Sequence, residues 1–250
     1  MKLKKFPAEF EDLLNKDGKK ILKGEYTSQN FGKKGGTPIE VVKGIIDDAV
    51  AADCVKILQQ NFQGHLKSIA SKLDPNAIRS MKKNYTETLA KTLNMQTLEL
   101  GVKKTKTNQL AHDCGLMQML ASDSLKAFAE AVTGETFGSA ENNQIICYRH
   151  GDYVSPHNDH HPENDNVKHG YYDIHIMFSN EHVQHQWLVY EKNGFLNSTY
   201  DIASPSAVAI YKLPFWHYTT PMMGKATKEA EAQRWLLLRS FEMPEKKKGR

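Results

Sequence analysis

Cysteine is scarce in this chain of 250 residues: only Cys54, Cys114 and Cys147 are present, odd in number and without CxxC spacing. That excludes a disulfide framework and a cysteine-rich zinc cluster, and it fits a reducing compartment in which each thiol is a small buried hydrophobe. Long apolar runs are missing too. No segment approaches the length of a membrane span. The start, Met1-Lys-Leu-Lys-Lys-Phe-Pro7, has charge but no apolar stretch behind it, unlike a secretory signal. A cytoplasmic protein is therefore expected. Neither sign of charge dominates: 33 basic residues against 29 acidic ones leave +4. Much of that surplus sits at the ends, in Lys2, Lys4 and Lys5 and in Lys246, Lys247, Lys248 and Arg250, so it reads as solvated tails and not as a nucleic-acid surface. Gly32-Lys-Lys-Gly-Gly36 has neither the GxxxxGK[ST] order nor a preceding strand, so it is a loop and not a phosphate cradle. Internal repeats are absent.

What is present is an ordinary globular composition, with 40% hydrophobic and 25% charged residues. Its character changes near residue 140. Thr37-Pro-Ile-Glu40 has capping-box spacing, and the apolar residues from Val41 through Leu58 recur at helical intervals, which predicts one long helix or two abutting ones. Asp74-Pro75 predicts a second helix running to about Leu93. A third is expected over Asn108–Ala121, and a fourth from Ser122 or Ser124 to Gly134. Beyond residue 140 come short β-rich runs: 144–148, 172–178, 187–190, 207–211 and 234–241, with Asn193-Gly194 as a hairpin turn. Helices followed by strands predict an α+β fold in one compact unit. Residues 1–139 would be mainly helical support, 140–243 a β-barrel core and 244–250 a basic tail.

Most of the eleven histidines crowd between His150 and His185. In a strand, residues two apart share a face, so His157 and Asp159 of His157-Asn-Asp159-His160-His161 are expected to reach one metal together, with Asn158 turned away. A third ligand has to come from a distant strand, and His217, 58 residues after Asp159, is the candidate. Two imidazoles and a carboxylate on one face make the facial triad of non-haem Fe(II) oxygenases. Zinc accepts the same donors, so ligand type alone leaves the metal open.

The segment Tyr148-Arg-His-Gly-Asp-Tyr-Val-Ser-Pro-His157-Asn-Asp159 resembles the prolyl-hydroxylase-like branch of the Fe(II)/2-oxoglutarate-dependent dioxygenases, and His217 and the strand-opening Arg234-Trp-Leu-Leu-Leu238 follow in the same order. The match covers about residues 140–243. The resemblance implies a double-stranded β-helix (jelly-roll or cupin-like) barrel, buttressed by the N-terminal helices, that uses Fe(II), 2-oxoglutarate and O2 to hydroxylate a C–H bond while forming succinate. It implies Fe(II) ligation by His157, Asp159 and His217. It also implies that Arg234 pairs with the distal carboxylate of 2-oxoglutarate and that Tyr148 adds a hydroxyl to it. Halogenases of the superfamily have Gly or Ala where this chain has Asp159, so hydroxylation, or a desaturating or ring-forming variant of it, is expected over halogenation.

The chain departs from that branch in two places. The interval of 17 residues from His217 to Arg234 is long, which suggests an inserted lid over Gly224–Ala232 and makes Lys225 a rival for the carboxylate. Val183-Gln-His-Gln-Trp187 replaces the branch's Gly-Gly. His175 and Trp216 are the candidate substrate contacts, while Arg239, an odd number of residues from Arg234, should face the other way. A small polar molecule, such as an amino acid or related metabolite, is the expected substrate, with a peptide as the alternative and neither membrane nor nucleic acid as a partner. A zinc hydrolase or a non-catalytic cupin-like binding protein are the rivals from other classes.

Overall fold

The computed structural model describes residues 3–72, 91–101, 104–162 and 164–244. The helix expected from Asp74 lies outside them, as do most of the basic residues at both ends. Thirteen strands are described: β1 (Ile39–Lys43), β2 (Lys67–Ser71), β3 (Leu93–Leu100), β4 (Ala140–Tyr148), β5 (Tyr153–His157), β6 (Tyr171–Ser179), β7 (Val183–His185), β8 (Trp187–Lys192), β9 (Phe195–Asp201), β10 (Ser206–Leu213), β11 (His217–Thr219), β12 (Met223–Gly224) and β13 (Arg234–Glu242).

Their pairing defines the architecture. One side runs β1-β10-β6-β13-β4-β3 and the other β5-β11-β8-β9, joined where Leu93 and Asn94 of β3 meet Val154 and Tyr153 of β5. Along β4, β5, β6, β8, β9, β10, β11 and β13 the chain passes between the two sides so that β4 and β13, the first and last of these, lie next to each other. This is a double-stranded β-helix. Asn193 and Gly194, both at positive φ (55° and 81°), make the tight turn between β8 and β9 that their sequence predicts.

Strand alternation then sorts the side chains into two cores. On β13, Trp235 and Leu237 turn outwards into the larger cluster, which also holds the helices; Arg234, Leu236, Leu238 and Ser240 turn inwards to line the barrel. The helices α1 (Lys16–Leu22), α2 (Asp48–Phe62), α3 (Lys106–Asp113), α4 (Leu116–Leu120) and α5 (Asp123–Thr133) bury their apolar residues in that outer cluster. None of the described helices is long and apolar enough to cross a membrane.

Two helix expectations need correction. Residues 39–43 form a strand, β1, in antiparallel register with β10 from Ile39↔Tyr211 to Lys43↔Ala207. The Thr37 hydroxyl donates to the Ile39 carbonyl and caps no helix, and Gly44 at φ 69° ends the strand before α2 begins at Asp48. Val41 and Val42 are β-branched and suit the pleat better than a helix. The helix expected over Asn108–Ala121 is broken between α3 and α4 by Gly115 at φ 80°. The Phe6 carbonyl oxygen stands only 2.2 Å from where a Cβ on Gly115 would lie. Gly115→Ala therefore meets both an unfavourable φ and a backbone clash. It is expected to destabilise the protein by about 3 kcal/mol, read as a lower urea midpoint at unchanged m-value. The fourth helix, α5, is as expected: Ser122 Oγ accepts from the Leu125 amide at 3.3 Å, and Gly134 closes it at φ 70°.

Candidate active site

The ligand group is assembled by a strand pair and a turn. β5 and β11 run antiparallel with His157 directly opposite His217, so two residues far apart in sequence become cross-strand neighbours, with ring centroids 4.2 Å apart. His217 opens its own strand, β11, instead of ending β10. Asp159 does not lie on a strand as the spacing suggested. β5 stops at His157, and Asp159 takes a left-handed conformation (φ 53°), one that Asp tolerates better than most residues. This turn, and not the period of a strand, brings its carboxylate back to the histidines. Asn158 is buried, and its side chain accepts from the His160 amide at 3.1 Å.

The hydrogen bonds fix which atoms face inwards. Nδ1 of His157 lies 2.6 Å from the Ser155 carbonyl, and Nδ1 of His217 lies 2.9 Å from the Phe215 carbonyl. A carbonyl only accepts, so both Nδ1 atoms carry a proton and both Nε2 atoms are the ones turned towards Asp159; in a neutral ring each would present a lone pair. Those Nε2 atoms stand 3.2 Å (His157) and 3.6 Å (His217) from Oδ2 of Asp159. With metal–ligand bonds of about 2.1 Å, two donors at right angles lie about 3 Å apart, so the spacing fits one divalent ion capped on one face. Burial, then the neighbouring His157, pushes the His217 imidazole down to about 3, which keeps it neutral and able to ligate.

Lys91, which the sequence did not bring to notice, reaches Oδ1 of Asp159 at 2.8 Å. Burial alone would raise this carboxyl; the Lys91 ammonium and then the His157 ring override it and hold it well below the usual carboxylate range. One carboxylate oxygen is thus tied to lysine and the other is turned to the histidines.

These residues line a cavity of about 1090 Å³ inside the barrel, together with Tyr148, His175 and Arg234. Arg234 is 0% exposed and sits opposite Tyr148 in the β13–β4 register, its guanidinium carbon 4.5 Å from the tyrosine ring centre. Its Nε donates to Oε1 of Gln186 at 2.6 Å. Gln186, also 0% exposed, is held by its own donation to the Thr220 carbonyl at 3.0 Å. Among the described residues, Nη1 and Nη2 of Arg234 have no hydrogen-bond partner. Gln186 belongs to the segment that departs from the prolyl-hydroxylase pattern, and sequence reasoning gave it no role.

The other expectations divide. His175 lines the cavity, with its ring 4.2 Å from Tyr211 and neither ring nitrogen hydrogen-bonded to any described residue. Trp216 does not line it. Next to His217 in an extended chain it points the opposite way, into a shallow surface cleft beside Gly35 and Asn193. Lys225 is exposed and away from the cavity, and no residue of Gly224–Ala232 lines it. That segment is pinned by β12 pairing with β7 and by the Asn180 side chain donating to the Glu231 carbonyl at 2.8 Å, so it is an anchored flap at the side and not a lid. Arg239 turns away, as expected, and donates to Asn143 Oδ1 at 2.8 Å.

No family model and no curated protein matches this chain. Solved structures do. An oxidoreductase of the 2OG-Fe(II) oxygenase family from Burkholderia pseudomallei aligns at 9% identity and TM-score 0.49, over 86% of this chain and 94% of that one. A Pseudomonas putida prolyl-4-hydroxylase aligns at 10% identity and TM-score 0.43, over 83% and 94%. The alpha-ketoglutarate-dependent carbocyclase SnoK from nogalamycin biosynthesis aligns at 9% identity and TM-score 0.48, over 95% and 87%. Likeness this distant says nothing about what the present chain binds.

Proposed function

We propose that this protein is an Fe(II)- and 2-oxoglutarate-dependent oxygenase that hydroxylates a C–H bond of a small polar molecule. The observation that carries the reading is the buried Arg234 guanidinium, fixed through Nε by Gln186 while neither Nη group has a partner among the described residues in the cavity that His157, Asp159 and His217 line. A buried cation with two orphaned, parallel donors calls for a carboxylate that can accept bidentately. The distal carboxylate of 2-oxoglutarate supplies one, and Tyr148 packs against the same guanidinium. The two Nε2 lone pairs and the Asp159 carboxylate would hold Fe(II), leaving coordination positions for the 2-oxo acid and dioxygen. When bound, the iron supplies the redox chemistry that couples decarboxylation of the 2-oxo acid to oxidation of substrate. The chain's own part is to present neutral imidazoles, orient the carboxylate through Lys91, and seat the 2-oxo acid in an apolar sleeve that includes Leu236, Met177 and Leu188.

A zinc hydrolase could use the same three ligands but leaves Arg234 without a task. Most of the described residues that line the cavity lie on the barrel's own strands, which supports a small substrate over a peptide. The test is reconstitution with Fe(II) or Zn(II) and measurement of succinate from 2-oxoglutarate. Succinate that requires both Fe(II) and oxygen is expected. Hydrolytic turnover with zinc and no 2-oxoglutarate would overturn the proposal.

A further inference from the structure

The inner face of β13 and β6 has two unlike ends. Arg234 marks one, opposite Ser179. Six residues along β13, about 20 Å at strand rise, Ser240 stands opposite Asp173 at the other. Between them Leu236 and Met177 pair across the sheet, followed by Leu238 and His175. If 2-oxoglutarate takes the arginine end, as the proposed function requires, the Asp173 end is left for the molecule to be oxidised.

That end carries a buried acid. Asp173 is 6% exposed and lines the cavity. Its Oδ1 accepts the Ser240 hydroxyl at 2.6 Å, while Oδ2 lies 3.9 Å from His175 Nε2, beyond hydrogen-bond range. Among the described residues no lysine or arginine pairs with it. The other carboxylates around the cavity differ: Asp159 has Lys91, Glu141 accepts from the Asn166 side chain at 3.0 Å, and Glu99 is exposed. Among the described residues, neither ring nitrogen of His175 has a hydrogen-bond partner. A carboxylate set inside the barrel, with one neutral donor among the described residues and its Oδ2 facing the cavity, is suited to accept from a cation entering there.

We infer that Asp173 is the specificity residue of this enzyme: it takes the protonated amine or guanidinium of a cationic substrate, with His175 as a neighbouring hydrogen-bond partner. The inference rests on the oxygenase reading for which end is free, and it narrows the substrate from polar to cationic.

Calorimetry under argon on the protein loaded with Fe(II) and 2-oxoglutarate tests it. The probes are L-lysine and L-arginine, their neutral matches L-norleucine and L-citrulline, and an acetylated, amidated lysine pentapeptide that separates a free from a peptide-borne cation. At least one cationic probe is expected to bind about tenfold more tightly than its neutral match, as a charged hydrogen bond warrants. Asp173→Asn should bring that ratio down to about unity, with 2-oxoglutarate binding as the check on folding. Equal binding of cationic and neutral probes by the wild type overturns the inference, whether or not the variant folds; so does a ratio that survives in Asp173→Asn. Aerobic succinate assays separate the two claims. Cation-selective binding with no succinate formed sinks the oxygenase reading and leaves Asp173 as a cation site, whereas succinate formation with no cation preference sinks the Asp173 assignment alone.

Discussion

Arg234→Met is expected to abolish 2-oxoglutarate binding and yet leave the ligand-free protein at least as stable as the wild type. The two effects have opposite signs because the guanidinium is there for the ligand. Arg234 is wholly buried, burial lowers its basicity, and two of its nitrogen groups have no partner among the described residues. Desolvating such a charge costs several kcal/mol, and methionine fills much of the same volume without that cost. Against this stand the loss of the Nε donor to Gln186, about 1–3 kcal/mol for a buried acceptor left unpaired, and the contact with the Tyr148 ring. The first term is the larger. Calorimetry should show the 2-oxoglutarate Kd rising by about a hundredfold or more, the worth of two charge-assisted hydrogen bonds, while Tm holds or rises. Arg234→Lys should lie between, since an ammonium keeps the charge but loses the planar fork. A variant that folds and binds 2-oxoglutarate within a few-fold of wild type would remove the main support for the proposed reaction.

Arg234 and Tyr148 came into view through the resemblance to the dioxygenase branch, and only the outward turn of Arg239 was read from strand spacing. Period-2 patterns are local, and all five expected strand runs lie within β4, β6, β8, β10 and β13. What escaped depends on distant partners. Ile39–Lys43 carries an apolar run that suits either period, and β10, about 170 residues on, decides for the strand. Lys91 reaches Asp159 across 68 residues, and Gln186 reaches Arg234 across 48, with no pattern to announce either. Asp159 shows a subtler failure. Its carboxylate does reach the histidines, but a single left-handed φ and not strand geometry turns it there. Asp173 and His175 were visible as polar residues alternating with Tyr172, Ile174 and Ile176. What the sequence withheld was that Asp173 is buried with no basic partner.

Asp159→Ala should leave the fold intact and remove the metal. Among the described residues Lys91 is the ammonium that pairs with the carboxylate, and both side chains keep solvent contact, 23% for the aspartate and 32% for the lysine. An ion pair so placed contributes about 0–1 kcal/mol, and the freed ammonium can turn to water. The β5–β11 pairing and the two Nδ1–carbonyl hydrogen bonds that set the histidine tautomers do not involve Asp159. Two neutral imidazoles remain, without the one anion that offsets the charge of a divalent ion. Loss of supporting partners around a metal site already weakens binding about 10–100-fold, so loss of a ligand should exceed that, and succinate formation should fall to background. The decisive comparison is Fe(II) affinity against Tm in one preparation. An unchanged Tm with metal binding lost marks Asp159 as a ligand. If Tm collapses, the left-handed turn is a structural need. If affinity falls by less than about tenfold, iron is held by other groups, and the turn after β5 serves something else.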